Sequence, residues 1–390
     1  MEAGTAAARE ERSFSERVQD LVIRAQDAPT PVKAALGFVL LYALFFVAED
    51  GLPDGGLKVV AFFALFAAGV ASVTLLQKNV PAVAVAVIAN IALLLILYHT
   101  LQIVADRGLT GLSTGSIYAL GAVGLTLVYG ILKLVNFAHG DFLTFGAYMA
   151  FVVNVSWGAP LIFAVFFAMA MTAILGVALE RAMWRPMRQR GAGMLQLLLM
   201  SIGLALVIRY VIQFAWGTEL RQLDVNRVAT VDFLGIGTGR IFFATIVVGL
   251  TVLMGTGLML RYTLLGKRMR ALADNLDLAE TSGINTSRVI LLTWIFAGAF
   301  AGLAGVMAGA TTQVQPELGF EFLLPIFAVV VLGGIGNAFG ALTAGVVLGV
   351  VIEWSTLLVE SRWKLAIGFV ILILVLIIRP QGIFGKAKAV

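Results

Sequence analysis

The sequence contains no cysteine, so disulfide bonds, thiolate chemistry and cysteine metal sites are excluded. It is also poor in charge. Only 13% of its 390 residues are Asp, Glu, Lys or Arg, fewer than the surface of a water-soluble domain of this size needs. No Walker A pattern occurs: Lys267 and Lys386 follow glycines, but neither lies in GxxxxGK followed by Ser or Thr. Any ATP-driven scheme therefore requires another polypeptide. No nucleophile, base and orienting group can be assembled either, so no catalytic residue is assigned and the chain reads as a non-enzyme. No secretory signal peptide is visible, because residues 1–33 are polar and of mixed charge.

What the sequence has instead is long apolar blocks. Hydrophobic residues make up 60% of the chain, and the mean hydropathy is +0.99. Blocks near 20 residues match the hydrocarbon thickness of a bilayer. They fall at 34–48, 58–76, 80–98, 109–129, 138–154, 161–179, 193–214, 241–260, 289–312, 322–335, 339–354 and 365–379. The expected fold class is all-α, a polytopic integral membrane protein. The pI near 9.6 comes from positive charges in short loops beside apolar blocks, which the positive-inside rule explains without nucleic-acid binding. Arg181, Arg185, Arg188 and Arg190 form one such cluster. Arg261, Lys267, Arg268, Arg270 and Arg288 mark a second, and Lys386 and Lys388 a third. These stretches are expected on the cytoplasmic side, as are both termini. Residues 49–57 and 215–240 are then expected outside.

Composition divides the chain. Residues 1–33 read as a charged cytoplasmic arm, 34–98 as three accessory membrane segments with few polar features, and 99–385 as the working core. In that core, glycines and hydroxyls punctuate the apolar run from Gly108 to Gly146, with Ser116 and Tyr118 among them. Small residues allow close helix approach, and hydroxyls can satisfy carbonyls where a helix breaks. Asn136, His139 and Asp141 follow within six residues. Ionisable groups beside apolar sequence usually face a cavity or the protein interior, and Asn136 or Asp141 could accept from the exposed amides of a bent helix start. One histidine and one acid are too few for a metal site. Further on, Gly333, Gly334, Gly336 and Asn337 are too glycine-rich for an undisturbed helix. They either expose backbone groups to a cavity, as discontinuous transporter helices do, or make a tight turn between packed helices. The pair 322–335 and 339–354 reads equally as two crossings or as a re-entrant pair. Between two spans, Leu272, Leu276 and Ala279 lie at helical spacing, with Asp274, Asp277 and Glu280 turned elsewhere. Gly283 is placed to end that helix and Asn285 to help the turn. A charged amphipathic helix there suits docking to a soluble partner, or else lies on lipid headgroups.

Four stretches carry a family resemblance: GLSTGSIYALGAVGLTLVYGILKLVNFAHGDF at 111–142, GKRMRALADNLDLAETSGIN at 266–285, VLGGIGNAFGALTAG at 331–345 and IRPQGIFG at 378–385. Residues from about 103 to 385 resemble the LivH-type permeases of branched-chain amino-acid ABC importers. The resemblance implies a type II-like ABC importer permease fold with broken or re-entrant helices. It implies a LivM-like second permease, two cytoplasmic ATPase subunits that use ATP and magnesium, and a periplasmic or tethered substrate-binding protein. It gives this chain no cofactor of its own, and its surroundings are membrane lipid. By the same resemblance, residues 271–283, including Ala271, Asp274, Leu276, Ala279 and Gly283, form the ATPase-coupling helix, and the segments 111–146 and 333–340 border the translocation path. Urea or short-amide permeases carry similar segments and stand as an alternative. A non-transporting membrane scaffold is a second one, opposed by the intramembrane polarity at 136–141. Residues 1–98 extend beyond the usual family pattern.

Overall fold

The computed structural model describes residues 80–233, 236–378 and 382, with side chains described from residue 103 onward except 233 and 236. The charged arm, the segments expected at 34–48 and 58–76, and Lys386 and Lys388 lie outside these residues. Contacts divide the chain after Ile103, and the larger unit, Val104–Thr356 together with the chain from Glu360, holds the helical bundle and its polar sites.

The described residues are almost entirely helical. In chain order the helices are α1 Val80–Leu132, α2 His139–Phe151, α3 Leu161–Leu179, α4 Arg185–Gln189, α5 Met194–Trp216, α6 Arg240–Tyr262, α7 Leu264–Asp274, α8 Leu276–Thr281, α9 Thr286–Thr311, α10 Leu318–Gly333, α11 Ala338–Ser355 and α12 Lys364–Ile378. Among the described residues, seven stretches are long and apolar enough to cross a membrane, including Ile103–Leu132 of α1 and the whole of α5, α6 and α9. The chain is thus a multi-pass, helical inner-membrane protein. The segments expected at 80–98 and 109–129 fall in one uninterrupted helix. The intervening residues lower the hydropathy, but they contain no proline, and a single glycine, Gly108, does not stop a helix.

Burial sorts the spans. In its most apolar window, the 103–132 part of α1 is 89% buried and α9 67%, while α3, α5 and α6 are each 28% buried and the stretch ending in α12 only 6%. Hence residues 103–132 and α9 form the interior and α12 is an outer helix. Glycines let the interior helices approach. A Cβ on Gly115 of α1 would lie 2.9 Å from the Gly345 carbonyl of α11, and one on Gly146 of α2 would lie 2.6 Å from Cα of Gly302 in α9. Small residues at helix crossings give membrane bundles their packing, because lipid supplies no hydrophobic driving force between helices. Within the bundle, α9 packs mainly on α3 and α2, and α10 on α11, α2 and α12.

Two π-type turns, Val152–Ser156 and Glu180–Trp184, extend α2 and α3 beyond their regular parts. At one end of the bundle a short antiparallel hairpin pairs β1 Thr230–Phe233 with β2 Ile236–Gly239, Thr230 opposite Gly239. It is a small addition to the expected all-α fold. The loop before it is held down by reciprocal backbone bonds between Arg221 and Val314, 2.9 and 2.8 Å, and by Asn154, whose Oδ1 accepts from the Asp224 amide at 2.7 Å.

Candidate solute path and docking helices

Between α1 and α2, residues 133–138 are not helical, and the polar residues expected to matter lie at this break. Asn136, His139 and Asp141 are all fully buried. Asn136 Oδ1 accepts from the Ala138 amide at 3.1 Å and so braces the start of α2. His139 Nε2 lies 2.9 Å from the Gly121 carbonyl of α1, so this nitrogen carries the proton and donates. Asp141 accepts from its own backbone amide at the start of α2 and also reaches across the bundle. Its two oxygens accept from Arg209 Nε and Nη2 at 3.1 and 3.4 Å. The same guanidinium lies 4.8 Å from the ring centre of Phe320. One buried pair thereby ties α2, α5 and α10 together. Ser116 is buried and donates to its own helix at Leu112, 2.7 Å.

Beyond this pair, polar groups gather where α9 gives way to α10. Gln213 donates to Glu317 at 2.9 Å, and Gln315 to Glu321 at 2.8 Å. Thr312, Gln313, Gln315 and Glu321 line an open polar depression. Glu321 also borders a cavity of about 190 Å³ between α1, α10, α11 and α12. Tyr118 forms its α1 wall, with the Phe322 ring 5.6 Å away. Pro325, Leu348, Ile352 and Phe369 supply apolar lining, and Lys364 supplies a base. Lys364 Nζ is held by both oxygens of Glu353, at 2.7 and 2.8 Å.

The Gly333–Asn337 segment is a hydrogen-bonded turn joining α10 to α11. Gly334 and Gly336 have φ of 88° and 87°, which side-chain-bearing residues rarely adopt. The Gly334 amide bonds to Val331 O at 3.1 Å, and the Asn337 amide to Gly334 O at 2.9 Å. Asn337 caps α11 by accepting from Gly340 N at 3.1 Å. The turn brings α10 and α11 so close that Gly333 abuts the backbone of Gly340 and Ala341. Gly333, Gly334, Gly336 and Asn337 thus have turn or packing tasks visible in the backbone, while Ile335 and Gly336 face outward.

The expected single helix at 271–283 is two, α7 and α8, broken at Asn275. That residue is extended (φ −157°, ψ 112°) and its Oδ1 accepts from Leu278 N at 2.9 Å. An asparagine that caps the following turn competes with helix continuation. Leu272 and Ala279 point inward and are buried, Leu276 is half-buried, and Asp274, Asp277, Leu278 and Glu280 are exposed. Ala271 accepts the Asn275 amide at 3.1 Å, closing α7. Gly283 has φ +82° and ends α8, and Asn285 caps α9 by accepting from Arg288 N at 3.0 Å. Arg270 Nη1 donates to the Leu260 carbonyl, tying α7 back to α6.

Sequence reasoning missed Arg209, Gln213, Glu317 and the Glu353–Lys364 pair. Arg209 had a usable signal, since it is a lone charge inside the apolar block 193–214. It also missed Glu180, counted only against the arginine cluster. Glu180 is buried and accepts from Trp294 Nε1 of α9 at 2.8 Å and from both terminal nitrogens of Arg188. Trp184 and Trp294 stack beside it, 6.3 Å apart and inclined by 8°. Among the described residues, no group of three or more His, Asp and Glu could hold a metal ion.

Comparisons with known proteins find relatives over most of the chain. The family model described as branched-chain amino acid transport system, permease component, matches residues 108–376. The LivH permease protein of the high-affinity branched-chain amino acid transport system of Escherichia coli K12 is 32% identical over 295 residues, covering 71% of this chain and 94% of that protein. BraD, the corresponding permease protein of Pseudomonas aeruginosa, is 32% identical over 306 residues, covering 75% and 98%. LivM of Escherichia coli K12 is 26% identical over 369 residues, covering 85% of each chain. Residues 99–390 make up only about three quarters of the sequence, so that last match extends into residues 1–98. No solved structure matches the chain.

Proposed function

The chain belongs to the family of branched-chain amino acid transport system permease components, and from that premise we propose that it carries aliphatic amino acids such as leucine, isoleucine and valine across the membrane in an ATP-driven importer. As a member of a transport family it works by conformational change rather than covalent catalysis. The observation that carries the substrate class is the cavity beside Tyr118. Its lining is mostly aliphatic and aromatic, with one acid, Glu321, and one base, Lys364. At about 190 Å³ it is smaller than the pockets that hold drug-sized ligands and suits a molecule of amino-acid size. Urea has no apolar part to use such a lining.

In this proposal Tyr118, with the polar break at Asn136, His139 and Asp141, borders the path. Ser116 and the turn of Gly333, Gly334, Gly336 and Asn337 set the helix packing beside it. The α7–α8 pair, with Ala271, Asp274, Leu276, Ala279 and Gly283, docks one of two cytoplasmic ATPase subunits. Its exposed acids and the exposed Leu278 offer a surface for a soluble protein rather than an anionic lipid face. ATP and magnesium belong to those subunits. A LivM-like second permease completes the membrane part, and a binding protein delivers the solute. ATP binding then shifts the population between two orientations of the helices. Residues 1–98 act as an accessory segment to the 99–385 core.

Reconstituting both permeases, the ATPase subunits and the binding protein in proteoliposomes tests this reading. ATP-dependent uptake of leucine and valine is expected, with little of glutamate or urea. Uptake of urea with none of the aliphatic amino acids overturns the substrate assignment. An assembled complex that takes up none of these solutes would favour a scaffold.

A further inference from the structure

Lys133 follows α1 directly and has φ +52°, alone among the described residues other than glycine in having a positive φ. A left-handed lysine carries a backbone cost that glycine would not incur. Such an outlier persists where the surroundings need that side chain in that place. Here the side chain joins two helix ends. Its Nζ donates to Gly130 O at 2.8 Å and to Ala273 O at 3.3 Å.

Both acceptors belong to final helical turns, Gly130 to α1 and Ala273 to α7, where carbonyls have no amide partner further along the helix. The two C-termini also present the negative ends of their dipoles to the same ammonium. The left-handed residue is itself anchored, its amide bonding to Tyr129 O at 2.8 Å. Gly336, in the α10–α11 turn, sits against Gly130 at the same corner. Tyr118, on the cavity wall, lies fifteen positions back along the same helix, about 22 Å at 1.5 Å per residue. α7 is also joined to α6, through the chain and through Arg270, and α7 and α8 pack on α9.

We infer that Lys133 is a positioning residue that transmits displacement of the α7–α8 pair directly to α1, and so to the wall of the Tyr118 cavity. This rests on the reading of α7–α8 as the ATPase-docking element. Without the link, docked subunits still hydrolyse ATP, but α1 no longer follows α7.

The test uses the complete complex in proteoliposomes and measures solute uptake per ATP hydrolysed. Lys133→Met and Lys133→Gly should both copurify with the ATPase subunits and hydrolyse ATP, with uptake per ATP lowered about fivefold, while Lys133→Arg recovers most of it. Lys133→Gly decides the matter if the methionine variant folds poorly, because glycine relaxes the backbone while deleting the link. Wild-type uptake per ATP in Lys133→Gly overturns the inference, and so does its failure to assemble, which would make Lys133 a folding residue. Leu278→Arg separates the two readings. If it still retains the ATPase subunits, the docking assignment itself is wrong; if it loses them while Lys133→Gly couples normally, only the Lys133 link falls.

Discussion

Arg209 of α5 donates to both carboxylate oxygens of Asp141 in α2, a pair in which the acid is fully buried and the base only 15% exposed. Burying two charges is costly, so the pair is poor evidence of net stabilisation, but removing one partner leaves the other charged and unpaired. Replacing Arg209 with Leu should destabilise the protein by roughly 3–5 kcal/mol. Thermal unfolding in detergent checks this. Asp141→Asn combined with Arg209→Leu should recover a good part of the loss, and no recovery would mean the pair matters through something other than charge.

Gly146 sets the crossing of α2 with α9. Gly146→Val should force the helices apart and cost roughly 1–3 kcal/mol by overpacking. The same substitution at Gly255, where a side chain would meet open space, should change the unfolding midpoint little. Equal effects at both positions would remove close packing as the explanation.

The cavity beside Tyr118 gives a more functional contrast. Ala328 is buried on its wall, and Ala328→Phe should fill the space and reduce leucine uptake about tenfold, equivalent to ~1.4 kcal/mol. Leucine-dependent transport kinetics and assembly on size exclusion measure the two outcomes separately. Normal uptake by a well-assembled Ala328→Phe complex would show that solute does not use this cavity.

At the docking end, Asn275→Ala removes the cap of α8 and should cost about 1 kcal/mol locally. Hydrogen exchange of residues 276–281 should speed up while α9 stays protected. Unchanged exchange would mean that packing of Ala279, not the cap, holds α8.

These elements also show what the residue pattern could and could not reveal. The spans were readable because bilayer thickness fixes how long an apolar block must be, and α5, α6 and α9 fall within a few residues of the blocks at 193–214, 241–260 and 289–312. The gap expected after Tyr98 was a dip in hydropathy rather than a break in the backbone, two properties that a window average does not separate. The break at Asn275 was hidden for the opposite reason: the spacing of Leu272, Leu276 and Ala279 satisfies a helix, while the asparagine between them competes with it. In the site, Asn136, His139 and Asp141 stood out because polarity beside apolar sequence is unusual. Their partners did not, since Gly121 and Arg209 come from other helices 18 and 68 positions away. The Glu353–Lys364 pair spans a loop and is visible only once α11 and α12 are placed side by side. The β1–β2 hairpin carries too few apolar residues to announce itself.

The stacked indoles of Trp184 and Trp294 have a practical consequence. Both rings are fully buried, nearly parallel, and seated where the arginine-rich segment meets α9. Separating them would change emission intensity and wavelength at an environment that water does not otherwise reach. With Trp157, Trp216, Trp354 and Trp363 replaced by phenylalanine, the protein would carry its own optical gauge of movement at that end of α9, readable in stopped-flow fluorescence during turnover and without an attached dye.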